Sequence, residues 1–316
     1  MIRNYCINQG RMVEIEDGNK ADALLCVKPT EEERAMLVNT YGIDEHNLAS
    51  ALDRNELPRM EVDENHLAVI FRYPKRYNAQ DNFVFHINSV GMFLFEKKLI
   101  VIAPDELAVF EGRAFLRIHN IQMLFLRILS TCIQHFFAHL EAINDIASEL
   151  ETKLSKSMEN SHLLQMFAIE KSLVYYVNAI SANGRVIERL KLNSRNQQPV
   201  GLTQDASELV DDLAIENAQC LEQAQIYANI FAGLMDARAS IVNNNLNVLM
   251  KHLTVINVVF LPINVLASVG GMSEYSIMTQ KIPPFLAYSL FMVSMLLLGL
   301  ATYAVLKVFE RRATYK

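Results

Sequence analysis

The residues with the most chemical potential lie where polar groups are most costly. Placed on a repeat that steps alternately by three and four, Asn247, Met250, Thr254, Asn257, Leu261, Asn264, Ser268 and Gly271 fall on one face of a single helix. Three of these are amides, and the stretch from Leu253 to Ser273 carries no charge at all. An amide in hydrocarbon must face a partner helix or water. The stripe therefore reads either as a channel lining or as the seam of a dimer with interhelical amide hydrogen bonds. The opposite face, with Val255, Val259, Phe260 and Val265, is apolar and suits packing against helices or lipid. Pro262 removes a backbone donor and frees the carbonyl of Val258, which gives a kink or a carbonyl turned toward the path.

A second constellation is acidic. Between Asp205 and Asp236 there are seven acidic residues and no lysine or arginine, and Glu208, Asp212 and Glu216 lie four apart on one helical face. Like charges at that spacing repel unless neutralised, so the face is either solvated or a regulatory divalent-cation site shared between subunits. His135 and His139 have the i, i+4 spacing of a metal-binding helix but lack the H-E-x-x-H glutamate, which disfavours a metal role there. Cys6, Cys26, Cys132 and Cys220 form no C-x-x-C pair and read as reduced and structural. The nucleotide-loop, dinucleotide-loop and nucleophile-elbow motifs are all missing from the sequence. It reads as no enzyme, without catalytic residues or a catalytic cofactor. A net charge of −6 disfavours nucleic acid and favours cations as partners.

These residues need elements to hold them. From Leu253 to Leu306 only Glu274 and Lys281 are charged, and the two uncharged runs, 21 residues to Ser273 and 25 from Ile282, each match the ~20 residues that cross a bilayer. The connection between them holds Pro283 and Pro284, which suit a helix start. Lys251 precedes the pair and Lys307, Arg311, Arg312 and Lys316 follow it, so both termini are expected in the cytoplasm. The first residues lack the apolar core of a signal peptide, which keeps the preceding 250 residues in the cytosol as well.

Helical periodicity runs unbroken from Asp205 to Gly271, a helix of about 100 Å at 1.5 Å per residue. Two more helical stretches, Gly112 to Lys156 and Ser161 to Leu192, come before it. Earlier still, the runs Ala23 to Val27, His66 to Tyr73, Asn82 to Val90 and Lys98 to Ala103 read as strands and Pro29 to Asp53 as helix, with a capping box at Thr30 and Glu33. The expected organisation is a cytosolic α+β domain (1–110), a helical stalk or funnel (111–250), a first membrane helix (251–273), a short external loop (274–284), a second membrane helix (285–306) and a basic cytosolic tail (307–316). A two-span chain cannot enclose a path alone, so a pore requires a symmetric ring of copies.

Along nearly its whole length the sequence resembles the CorA family of two-span magnesium transporters. The resemblance is carried by LASALDRNELPRMEVDENHLAVIFRYP, by the hairpin SVGMFLFEKKLIVIAP, and by MKHLTVINVVFLPINVLASVGGM at the first span. It implies an α+β funnel domain, a very long pore helix and a short second span, assembled as a homopentamer in a bacterial inner membrane. The family signature Gly-Met-Asn at the outer mouth corresponds here to Gly271, Met272 and Ser273, with Glu274 as an acidic group beside it. Gly270 stands where the family usually has an aromatic residue. The resemblance implies pore roles for Asn247, Met250, Asn264 and Leu253 or Leu261, and a cytosolic metal-site role for Asp212. The expected function is passive conduction of a divalent cation, foremost Mg²⁺, with no nucleotide involved. Zn²⁺ or another transition metal as cargo, and a non-conducting scaffold or sensor, stand as alternatives because of the altered mouth.

Overall fold

A computed structural model describes residues 1–77, 83–107, 109–110, 115–156, 160–193 and 201–314. The chain divides into two compact units, Met1–Gly233 and Leu234–Lys316.

The first unit is organised around one sheet. Strands β1 (Ile2–Asn8), β2 (Arg11–Ile15), β3 (Ala23–Val27), β4 (Arg59–Val62), β5 (His66–Pro74), β6 (Ile87–Phe95) and β7 (Leu99–Ala103) pair in the order β2-β1-β3-β7-β6-β5-β4. All neighbours are antiparallel except β3 and β7, which run parallel at the centre. Parallel strands are covered on both faces, and β7 is accordingly buried at every position, LIVIA.

One face of the sheet is covered by α1 (Glu31–Tyr41) and α2 (Glu45–Leu52). Leu37, Ile43, Leu48 and Ala51 pack there on Leu24, Cys26, Ala68, Ile70, Phe93, Ile100 and Ile102. The expected single helix is in fact two: Gly42 takes a left-handed φ of 71° that ends α1, and Asp44 then caps α2. The capping box at Thr30 forms as expected, with Thr30 Oγ1 accepting from Glu33 N and Glu33 Oε2 from Thr30 N. Strand side chains alternate, so the cross-strand row Leu25, Val101, Met92, Val69 and Met60 points to the other face. There α3 (Ile121–Lys156) and α4 (Asn160–Asn193) pack.

Buried amides tie the helices to the sheet and to each other. Beyond the end of the β4–β5 ladder, Arg72 would lose its backbone pairing on that side. Asn183 of α4, fully buried, replaces the missing strand: its Oδ1 accepts from Arg72 N at 2.9 Å and its Nδ2 donates to Arg72 O at 2.8 Å. Asn217 of α5 (Gln204–Gly270) in turn donates to Ile180 O at 3.1 Å.

The strands at Ala23, His66 and Leu99 match the expected ones closely, as does the 67-residue α5. Two further expectations are corrected. The strand looked for at Asn82–Val90 begins at Ile87, with Phe83 at a φ of 66° that no strand residue adopts; Asn82 lies outside the described residues. Helix α3 starts at Ile121, nine residues after Gly112, which also lies outside them. Strands β1, β2 and β4 were not anticipated; β2 and β4 lie at the sheet's edges, where half-exposed positions carry no strong apolar pattern.

Among the described residues three helices are long and apolar enough to cross a membrane: α3, α5 and α7 (Pro284–Thr314). Burial separates them. The apolar window of α3 is 50% buried within its unit, whereas those of α5 and α7 are 0% and 6% buried. The apolar surface of α3 is used in its own core; that of the other two is left for a bilayer.

Replacing Asn183 by Ala would strand a buried N–H and a buried C=O of Arg72, at a cost of about 2–4 kcal/mol. Chemical denaturation of the first unit in the intact protein should show that loss.

Candidate functional site

In the second unit the two long helices meet along one seam. Val255, Val259, Ile263, Leu266 and Gly270 of α5 are half-buried, as are Ala287, Phe291, Met295, Leu298, Gly299 and Thr302 of α7. Two close approaches fix the seam. A Cβ on Gly270 would lie 2.3 Å from the Phe291 ring, and one on Gly299 would lie 3.0 Å from Ile263 Cδ1. Bare backbone is required at Gly270 for steric reasons, because its φ is not left-handed.

The polar stripe lies elsewhere on α5. Asn247, Met250, Leu253, Thr254, Asn257, Leu261, Asn264 and Ser268 are all exposed in the single chain, Leu261 at 65%. At 100° per residue their mean direction is roughly 170° from that of the covered seam. Helix α7 thus packs on the side away from the stripe. Val255 and Val259 of the expected apolar face are in the seam, while Phe260 and Val265 flank it and remain exposed. The Thr254 hydroxyl donates to Met250 O at 2.7 Å, which satisfies it within its own helix.

Helix α5 stops at the signature segment. Gly271 N donates to Ala267 O at 3.1 Å, Met272 N to Val269 O at 3.1 Å, and Met272 then turns extended to begin α6 (Ser273–Met278). This six-residue helix was not anticipated in the connection. Tyr275 of α6 rests against the Phe291 ring, centroids 5.4 Å apart, so one aromatic of α7 supports both sides of the Gly271–Met272–Ser273 corner. The side chain of Glu274 lies outside the described residues. The role of Phe291 had no sequence signal other than Gly270 standing where bulk was expected. Helix α7 begins at Pro284, and Pro283 O accepts from Leu286 N and Ala287 N.

In the first unit, Glu208 and Asp212 are exposed on α5 and Glu216 is half-buried, accepting from Ser130 Oγ at 3.5 Å. The neighbouring Asp211 pairs with Lys191 at 2.8 Å. Among the described residues no three histidine, cysteine or acidic side chains converge as a metal cluster within one chain. His139 is a packed histidine: its Nδ1 lies 2.7 Å from Tyr176 Oη, and its ring stacks with that of Tyr176. Burial, and secondarily His135, push its pKa down to about 4. The cysteine reading also holds, with Cys26, Cys132 and Cys220 buried as free thiols.

The whole span of this architecture is shared with known proteins. Residues 24–308 match the family of CorA-like Mg²⁺ transporter proteins. The chain belongs to that family. A cobalt/magnesium transport protein CorA of Methanocaldococcus jannaschii is 26% identical over 249 residues, 74% of either chain. A magnesium transport protein CorA of Haemophilus influenzae is 26% identical over 298 residues, covering 86% of this chain and 88% of that one. In fold, the complete structure of the M. jannaschii CorA magnesium transporter superposes with a TM-score of 0.75 at 21% identity over 96% of both chains. The full-length CmaX structure gives 0.68 at 14% identity, over 86% of this chain and 85% of that one. The CorA-like α+β unit, long helices and two membrane helices expected from sequence are therefore established, and the protein is an integral membrane transporter of a non-enzymatic family.

Two outcomes follow. Gly270→Ala forces a methyl into the Phe291 ring and should lower the thermal stability of the purified transporter by an amount equivalent to about 1–3 kcal/mol, with Phe291→Ala in the same chain restoring it. His139 is neutral when folded down to about pH 4 but protonates near 6.5 when unfolded, so the unfolded state binds the extra proton between those values. Stability should fall as pH drops through that window, and urea titrations of His139→Gln should lack that component.

Proposed function

We infer that this CorA-like protein is a homopentameric channel for divalent cations, foremost Mg²⁺, working without nucleotide hydrolysis. The observation that carries the reading is the placement of the stripe: Thr254, Asn257, Asn264 and Ser268 lie uncovered on the apolar end of α5, on the face opposite the one that α7 occupies. The relatives' names, magnesium and cobalt transport proteins, agree with the cation class.

In this reading each copy contributes one α5 to the ring. Ions enter past Gly271, Met272, Ser273 and Glu274, and Mg²⁺, which sheds water reluctantly, passes with its shell hydrogen-bonded to Asn264, Asn257 and Asn247. Thr254 and Ser268 add hydroxyls to the same path. Leu253 and Leu261 close it by dewetting, beside Met250. The chain sits in the inner membrane with both termini cytoplasmic, as Lys251, Lys307, Arg311 and Arg312 favour. Glu208, Asp212 and Glu216, which do not gather a metal within one chain, meet a neighbouring copy and bind the regulatory cation there.

Flux of Mg²⁺ into dye-loaded proteoliposomes tests the assignment. Asn264→Leu should abolish flux while cross-linking still yields the same oligomer; unchanged flux removes Asn264 from the path. Ser273→Asn should alter the preference among Mg²⁺, Co²⁺ and Zn²⁺ without abolishing conduction, whereas silence in both proteins indicates a scaffold. Asp212→Asn should raise severalfold the internal Mg²⁺ needed to shut the flux off.

A further inference from the structure

The first unit carries a second concave site, of the opposite electrostatic character to the acidic helix face. Its position follows from strand direction. Strands β3 and β7 are parallel, β6 is antiparallel to both β7 and β5, and β1 is antiparallel to β3. The carboxyl ends of β3, β5 and β7 and the start of β1 therefore share one edge of the sheet. Crevices outside the carboxyl ends of parallel strands are where α/β sheets take ligands, because loops diverge there and leave space.

At this edge lies a cavity of about 810 Å³, within the range of small-molecule sites. Arg3 enters it from β1, Lys28 from the end of β3, and Lys75 and Arg76 from the end of β5; His135 and His139 of α3 close one wall. Four fixed cations converge from three strands in a chain of net charge −6. Two carboxylates also line it. Asp105 bridges one of these cations to a residue outside the lining: its Oδ1 lies 3.1 Å from Lys28 Nζ and 2.9 Å from Arg54, so the charge of Lys28 is partly offset while Lys75 and Arg76 keep theirs. Glu106, 89% exposed, reaches Arg3 only at 3.8 Å. Lys75 and Arg76 are exposed and without an ion-pair partner among the described residues. Lys28 is held at a φ of 47°, a conformation that a residue with a side chain adopts at a cost and that is found at ligand clamps.

We propose that this cavity binds a small phosphate-bearing anion, with Lys75 and Arg76 as the principal contacts and Lys28 and Arg3 completing the cradle. The planar guanidinium of Arg76 matches two phosphoryl oxygens at once, and the lysines supply point charge. A concave site with walls of low dielectric strengthens both. None of these residues is among those assigned above to the transport path, so the site stands or falls independently of conduction.

Isothermal titration of the full-length protein in nanodiscs, free of divalent cations and at low ionic strength, tests it with pyrophosphate, ATP and citrate. Saturable binding of pyrophosphate or ATP is expected, and whichever binds tighter identifies the source of the phosphate. Lys75→Ala/Arg76→Ala should weaken it roughly tenfold or more, with an unaltered melting temperature in the absence of ligand. If that pair perturbs folding, Arg76→Ala alone should still weaken binding severalfold. Absent binding, equal affinity in wild type and variant, or citrate binding as tightly as pyrophosphate would each overturn the assignment.

Discussion

A polar side chain in a hydrocarbon layer needs a polar partner, and the second unit is arranged around that constraint. Among the described residues, Asn257 and Asn264 on one face of α5 have no polar partner on α7, because α7 packs on the other side. Completing their surroundings requires water or another copy of the chain. The single chain is in that sense unfinished, and both the apolar seam and the polar stripe follow from distributing two kinds of surface around one helix.

The seam also sets how the signature corner is held. Gly270 has no side chain and Phe291 occupies the space beside it, so bulk absent from α5 comes from α7. Tyr275 rests on the same ring from the other side of the corner. Ser273 is thus at the start of a short helix braced by an aromatic pair, and its position depends on a residue 18 places further along the chain.

The first unit separates its charges. The exposed acids of α5 carry no cation from within that stretch of helix, while lysine and arginine collect at the strand ends of the sheet. Two buried amides hold the frame together, Asn183 as a substitute strand for Arg72 and Asn217 as a link between α4 and α5. Buried amides of this kind fix register because a shift would leave four hydrogen-bonding groups unpaired.

Long periodic features were legible in the sequence. The 67-residue α5, the apolar strands β3, β5 and β7, the proline start of α7 and the stripe itself repeat over many residues, so local pattern alone fixes them. Strands β1, β2 and β4 were not legible, since half-exposed positions mix polar and apolar residues, and neither was the break at Gly42 between two helices that share one apolar face. Helix α3 is also long and apolar enough for a membrane, and the burial of half its apolar window is what sets it apart from α5 and α7, because hydropathy cannot tell a core from a bilayer. What only the tertiary structure decided depends on residues distant in sequence: the face of α5 that α7 covers, the Phe291 ring beside Gly270, and the cations gathered at one sheet edge from β1, β3 and β5. Such contacts are set by strand direction and close packing between elements, and no local sequence pattern encodes them.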